Sequence, residues 1–257
     1  MRKINFYLCL LGINIRTLVS SLISLPWFFS CLRKFKKGND RSFPIGKYYP
    51  CLTDRFASGG TAKGAYFYHD LLVAMRIYAN APKTHYDVGS RVDGFVAHVA
   101  CFRKIYVLDI RPLQSKIANI IFEQQDFMAP LKDSLKQCTD SLSSLNALEH
   151  FGLGRYGDSI DYNGHLKGLE NLYEMLKPSG KLYFSIPIGI QRVEFNAHRV
   201  FSMKYLLEQF NSKYEIENFS YVDDKGDLHE NVELTKTGIA NNFNCNFGFG
   251  IFEMRKI

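Results

Sequence analysis

The sequence predicts an α/β fold: a seven-stranded, mostly parallel sheet with an antiparallel last strand, preceded by a helical N-terminal arm. Three observations carry the prediction. Short strand-like runs alternate with helical segments between residues 85 and 188, which requires crossover connections and a sheet covered on both faces. The last two strand-like runs are separated by a polar loop, Asp223 to Asn242, with no helix between them, as suits an antiparallel pair closing the sheet. Residues 1–38 differ in charge and apolar content from everything after them.

That arm carries the whole charge imbalance. Arg2, Lys3, Arg16, Arg33, Lys34, Lys36 and Lys37 all precede the first acid, Asp40. The remaining 25 basic and 25 acidic residues cancel, so the net charge of +7 belongs to the arm. The body therefore has no excess from which to build the basic face of a nucleic-acid binder. Residues 4–15 and 17–32 are two uncharged, mostly apolar runs separated by Arg16, each shorter than a bilayer span of about 20 residues. Pro26 is expected to break the second. Thr17, Ser20, Ser21 and Ser24 share one helical face and Leu18, Leu22 and Leu25 another. Two readings stand: a surface anchor with Trp27, Phe28 and Phe29 in a membrane interface and Arg33 to Lys37 on anionic head groups, or an extra helix packed on the body. Arg2 and Lys3 before an apolar stretch also suit a signal peptide, but no small-residue cleavage site followed by an acidic start is apparent.

The chain as a whole has 46% apolar and 22% charged residues, too apolar for a disordered chain, so its bulk reads as globular. The six cysteines, at 9, 31, 51, 101, 138 and 245, have no close spacing, which argues against a zinc knuckle, a redox motif or a disulfide framework and for reduced, buried thiols in the cytoplasm. No metal is expected. The organisation is an arm over 1–38, a loop and helix over 39–83, and the main domain over 84–257.

Within the main part, residues 66–80 form a helix with Leu71, Leu72, Met75 and Tyr78 on one side. Strands follow at 85–89, 105–109, 120–125, 141–145 and 181–188, with helical segments expected after the first, third and fourth. Leu166, Leu169, Leu172, Tyr173 and Leu176 make the clearest helical stripe, stopped by Lys177-Pro178-Ser179-Gly180. A helix over 203–210 and strands near 214–222 and 246–254 complete the chain.

In such a sheet ligands bind at the carboxyl ends of the strands. The first strand ends Asp87-Val88-Gly89-Ser90-Arg91-Val92-Asp93-Gly94-Phe95, a glycine turn leading into a helix start with unpaired amides. Twenty residues after Gly89, the second strand ends in Asp109, placed to accept hydrogen bonds from two ribose hydroxyls. The third ends Gln125-Asp126-Phe127, an acid and an aromatic suited to an adenine.

On these elements, over residues 66–257, the sequence resembles the class I S-adenosylmethionine-dependent methyltransferases. Tyr86 to Ser90 match the cofactor loop, Val107-Leu108-Asp109 the ribose acid and Gln125-Asp126-Phe127 the adenine site. Leu148-Glu149-His150 follows the fourth strand and Leu176 to Leu182 leads into the fifth. The resemblance implies a Rossmann-like methyltransferase fold and S-adenosylmethionine as cofactor, held by Asp87, Gly89, Ser90, Arg91, Asp109, Ile110, Asp126, Phe127 and Leu145. More narrowly, His85 to Phe95, Leu148 to Asp158 and Arg192 to Ser202 resemble an uncharacterised, mainly bacterial family assigned to this fold. The chain departs from the superfamily loop at two points, placing Arg91 and Asp93 where the second and third glycines belong. Arg91 either obstructs the methionine moiety, turns outward or pairs with the cofactor carboxylate.

A methyl transfer needs in-line positioning and, for a hydroxyl acceptor, a base. Glu194 and His198, directly after the fifth strand, are the expected catalytic pair, with His198 the base. His150 is expected to support its loop. The glycine-rich segment Gly152 to Asp158 reads as a substrate-facing lid, with His150, Arg155, Tyr156, Asp158 and Arg192 binding a small-molecule or glycan acceptor. A second lid runs from Gly59 to Asp70, with Tyr66, Tyr68 and His69. The resulting expectation is a cytoplasmic O-methyltransferase on a small or sugar-like acceptor, with peripheral contact at the inner face of a membrane and no nucleic-acid partner. Three rivals stand beside it: a binding module that has lost its cofactor, a nicotinamide oxidoreductase, which the Gly89 to Gly94 spacing does not fit, and a membrane-surface scaffold in which the arm is the main function.

Overall fold

A computed structural model describes residue 12, residues 14–38 and residues 42–257. Arg2, Lys3, Cys9, Asp40 and most of the apolar run at 4–15 lie outside the described residues. Cys31, Cys51 and Cys101 are exposed and do not meet the expectation of buried thiols. The chain divides into two units, Met1–Thr61 and Ala62–Ile257. The helix expected to belong with residues 39–83 thus falls within the second unit.

The first unit is built on helix α1 (Ile15–Gly38), which starts where the Asn14 side chain accepts the Thr17 amide at 3.2 Å. Pro26 lies inside this helix and does not end it. Proline removes one backbone bond and kinks the axis, and with no capping residue or turn signal beside it the helix resumes. The two runs thus join into one helix that is long and apolar enough to cross a membrane, with a mean hydropathy of 1.4 over its apolar window.

The second unit opens with helix α2 (Ala65–Asn80), which buries Leu72, Val73, Ala74 and Ile77. Then come β1 (Tyr86–Val88), α3 (Ala97–Ala100) after an irregular turn at Val92–Val96, β2 (Ile105–Asp109), β3 (Ile120–Gln124) and β4 (Thr139–Leu145). Helix α4 (Gly164–Met175) runs directly into β5 (Leu176–Ile188). A hairpin of β6 (Arg192–Glu194) and β7 (His198–Val200) precedes α5 (Met203–Phe210), β8 (Tyr214–Val222), β9 (Leu228–His229), α6 (Lys236–Ala240) and β10 (Gly248–Lys256).

The main sheet has the order β3-β2-β1-β4-β5-β10-β8-β9. Strands β1 to β5 pair in parallel, and β10 pairs antiparallel with both β5 and β8. The sheet has eight strands rather than seven because the two-residue β9 folds back on β8. Its turn closes when Asp223 accepts the amides of Lys225 and Asp227. The loop expected from Asp223 to Asn242 therefore contains both β9 and α6. No helix forms between β3 and β4 beyond one short turn at Asp133–Leu135, consistent with the bias of Pro130 against the helical conformation of the residue before it. Lys177 to Gly180 do stop α4, but the sheet then absorbs them as a bulge: Leu176 pairs with Thr139 and Lys181 with Ser141.

Adjacent strand residues alternate between two buried layers, as Val107 and Leu108 or Tyr183 and Phe184 do. This is the double-sided burial that a crossover-connected sheet requires. The register aligns Val88 with Leu108 and Asp109 with Gln124, so the ends of β1 and β2 emerge together. Strand order turns about β1 and β4, and this switch point fixes where a crevice opens.

Candidate functional site

A cleft of about 540 Å³ lies at that switch point, bordered by Gly89, Asp109, Asp126, Leu145, His150 and Tyr156 among others. This volume is within the range of small-molecule sites. The cleft brings together most of the residues expected from the sequence.

The floor is the turn after β1. Gly89 has φ +75° and donates its amide to the Leu108 carbonyl at 2.9 Å, and a Cβ there would sit 2.7 Å from the Ala147 Cβ. Only glycine meets both demands. Ser90 locks the turn, donating from its amide (3.0 Å) and hydroxyl (2.7 Å) to Asp87 and accepting the Leu145 amide. Asp87 also accepts the Ser143 hydroxyl at 2.6 Å. Its carboxyl is fully buried, and burial pushes it up to about 7 against the downward pull of these bonds. Expected as a cofactor ligand, Asp87 instead clamps the loop to β4 from behind and does not border the cleft.

Arg91 borders the cleft at its rim. Its guanidinium makes a two-bond pair with Asp93, at 3.0 and 2.7 Å, and both side chains are more than half exposed. The two departures from the glycine pattern thus satisfy each other at the rim. Gly94 serves the fold instead: a Cβ there would meet the Asp70 carboxylate of α2 at 2.5 Å.

Asp109 borders the cleft and is engaged by its own loop. Arg111 donates its amide and Nε to Oδ1 at 2.8 and 2.9 Å and Nη2 to Oδ2 at 2.5 Å. No spacing rule points to this arginine, and sequence reasoning missed it. Ile110 and Leu145 line the cleft, Asp126 accepts the Met128 amide at 2.9 Å, and Phe127 is buried beside them. Of the upstream lid residues, Tyr66 borders the cleft, while His69 is buried against Asp70 and 3.3 Å from the Asn146 amide.

The segment 152–158 folds over the opposite side. Asp158 closes it by accepting the amides of Gly152, Gly154 and Tyr156, at 2.8, 3.2 and 3.1 Å, so this acid organises the loop, and it also borders the cleft. His150 Nδ1 lies 2.6 Å from the Ala197 carbonyl and 3.2 Å from Arg155 Nη1; the carbonyl only accepts and Arg155 Nη1 has that same carbonyl as acceptor at 3.0 Å, so Nδ1 holds the proton and Nε2 a lone pair. Burial lowers its pKa to about 4, so the ring is neutral at pH 7. Its neighbour Glu149 is fully buried, with Oε2 unpartnered among the described residues and Oε1 3.6 Å from His150 Nε2, too far for a hydrogen bond.

Burial pushes Glu149 up to about 8. A carboxyl raised in the folded state holds a proton that the unfolded chain has released, so its contribution is full below the ordinary carboxylate range and lost as pH rises through 8. Glu149→Gln is therefore expected to melt above the parent at pH 9, by about 5 °C, and near it at pH 5. Circular-dichroism melts at the two pH values check this; parallel pH profiles would show that Glu149 is ionised when folded.

The expected catalytic pair lies elsewhere. Glu194 and His198 face each other across the β6–β7 hairpin at 3.3 Å, with His198 against the Phe247 ring at 4.8 Å, and neither borders the cleft. Arg192 is tied to Glu194 and to the carbonyls of Ile190 and Asn246. None of the three lines the cleft, because residues 192–200 pair with themselves as a ladder, and only the Ala197 carbonyl at its tip meets cleft residues, accepting from His150 and Arg155.

Comparison with known proteins agrees on the fold. The [4+2]-cyclase SpnF aligns at a TM-score of 0.51 and 14% identity over 92% of this chain and 96% of its own. A candidate sarcosine dimethylglycine methyltransferase of Galdieria sulphuraria aligns at 0.50 and 14% over 72% and 84%. At these identities the likeness shows the α/β methyltransferase-type fold alone, which hosts reactions as different as those two names imply. No curated protein matches the chain. One family model, described as a Caenorhabditis protein of unknown function, matches residues 104–245 and gives no support to a mainly bacterial membership. The match leaves out the glycine turn at Gly89 but takes in Asp109, the lid and the hairpin over more than half of the chain, which therefore belongs to the family of Caenorhabditis proteins of unknown function, DUF268.

Proposed function

We propose that the chain is an S-adenosylmethionine-dependent methyltransferase acting on an oxygen of a small, sugar-like acceptor. The observation that carries this reading is that Asp109 and the Gly89 turn border one cleft: the acid suited to a ribose lies beside the turn, and Arg91, which also borders the cleft, is paired with Asp93. The residues fit the cofactor: Asp109 for the ribose hydroxyls, Ile110 and Leu145 as apolar walls, Gln125-Asp126-Phe127 beside the adenine, and Gly89 and Ser90 beneath the methionine moiety. The cofactor supplies an activated methyl group. The chain supplies position and a base, which we assign to His150 in place of His198, since its ring is neutral and borders the cleft.

Arg111 on Asp109 favours the rival reading of a module that no longer binds cofactor. Isothermal titration with S-adenosylmethionine and S-adenosylhomocysteine, with NAD as control, separates the two. Micromolar binding of the first two is expected; none in folded protein leaves the binding module. The oxidoreductase reading gains nothing from the structure, because neither Tyr173 with Lys177 nor Tyr221 with Lys225, the two Tyr-x-x-x-Lys spacings, borders the cleft.

The arm is proposed to bind the inner face of an anionic membrane. Its amphipathy is inverted relative to a packed helix: Ser24 is fully buried, whereas Leu18, Leu22 and Ile23 are 55%, 58% and 63% exposed. Arg33, Lys34, Lys36 and Lys37 are exposed at the helix end, where each adds about 1 kcal/mol at an anionic surface. Cosedimentation with phosphatidylserine vesicles is expected, weakening in high salt and lost when residues 1–38 are deleted. Equal sedimentation of the deleted chain would show that the body binds instead.

A further inference from the structure

The cleft contains three arginines whose partners differ. Arg91 is matched by Asp93 and Arg111 by Asp109. Arg155 donates to the Ala197 carbonyl at 3.0 Å, and no carboxylate pairs with it among the described residues. Its guanidinium lies 5.2 Å from the centre of the Tyr156 ring, and that of Arg111 lies 4.6 Å from the same centre. Two cations thus converge on one aromatic side chain of the lid, and one is uncompensated. The lid's acid offers no relief, because Asp158 is taken up by three backbone amides.

We infer that Arg155 and Arg111 form a phosphate-binding subsite for the acceptor, completed when the cofactor site fills. The inference rests on the methyltransferase reading for its coupling to cofactor. Asp109 cannot give both oxygens to Arg111 and both to a ribose diol. Once the carboxylate turns to the diol, Arg111 stands unpaired beside Arg155, with its ring contact on Tyr156 available to hold it in place. Two unpaired guanidiniums within about 10 Å of each other repel, and together they present forked donors matched to phosphate oxygens. A phosphate-bearing acceptor satisfies both and lies beside His150, whose ring meets Tyr156 edge-on at 5.5 Å. By linkage, cofactor and anion tighten each other by the same factor.

The test is titration of the full chain with S-adenosylhomocysteine, with and without pyrophosphate at matched ionic strength, together with pyrophosphate titrated alone. Pyrophosphate is expected to tighten S-adenosylhomocysteine about tenfold. Arg155→Gln loses the tightening, binding S-adenosylhomocysteine equally with and without pyrophosphate. Arg111→Gln loses the tightening too, but binds S-adenosylhomocysteine more tightly than the parent, since Asp109 is freed. Unchanged affinity in pyrophosphate, or a tightening that survives Arg155→Gln, overturns the subsite. If S-adenosylhomocysteine binds under no condition, the methyltransferase reading falls and the pyrophosphate titration decides separately. Binding lost in Arg155→Gln upholds the anion subsite; equal binding in the variant, or none in the parent, overturns it.

Discussion

Asp109→Ala is expected to weaken S-adenosylhomocysteine binding by about 100-fold or more while leaving the chain folded. Two hydroxyl donors on one carboxylate are charge-assisted bonds, each worth about 1.5–3 kcal/mol, and losing both gives at least that factor. The fold loses little, because the ion pair removed with Asp109 is made to an Arg111 side chain that is 41% exposed, and such pairs contribute about 1 kcal/mol or less. Titration calorimetry beside a thermal melt separates the two effects. Unchanged cofactor affinity in a folded variant would falsify the assignment of Asp109 and, with it, of the cleft.

His150→Gln is expected to lower methyl transfer by about 100-fold to 10,000-fold, the range for a general base, with cofactor affinity nearly unchanged. The comparison that gives the result meaning is His198→Gln, which keeps most of the activity. His198 lies beside Glu194 and against the Phe247 ring and does not line the cleft, whereas His150 borders it and carries its proton on Nδ1, leaving Nε2 free to accept. Transfer of labelled methyl to a pool of sugars and sugar phosphates gives the readout. A parent-like rate in His150→Gln, or a larger loss in His198→Gln, would return the base to the hairpin.

These two histidines show where sequence reasoning reached and where it stopped. Strand ends are legible because a buried strand is a short apolar run closed by a turn signal: β2, α5 and β8 begin and end where the sequence places them. Gly89 and Asp109 follow from that alignment, since the ends of adjacent parallel strands emerge at one edge. What a run of residues does after leaving the sheet is another matter. Residues 192–200 carry no mark distinguishing a loop over the cleft from a hairpin beside it; the pairing of Glu194 with His198 is a tertiary event. Arg111 is hidden for the same reason, because an arginine two residues past a strand is ordinary until its guanidinium is seen on Asp109. Glu149 was legible as part of a phrase but not as a buried acid, since burial belongs to the neighbours and not to the residue. Pro26 misled in the opposite direction, as a local signal that the surrounding helix overrode.

The rim pair of Arg91 and Asp93 bears on how such a loop changes over generations. Both side chains lie at the exposed rim, where an unpaired charge costs little because water solvates it. Either position is therefore free to leave glycine before the other does, and no compensating change elsewhere is needed for the chain to keep folding. Gly89 has no such freedom, since its backbone angle and its contact with Ala147 admit no side chain. A lineage drifting along this path loses the recognisable spelling of its glycine motif well before it loses the cavity that the motif marks.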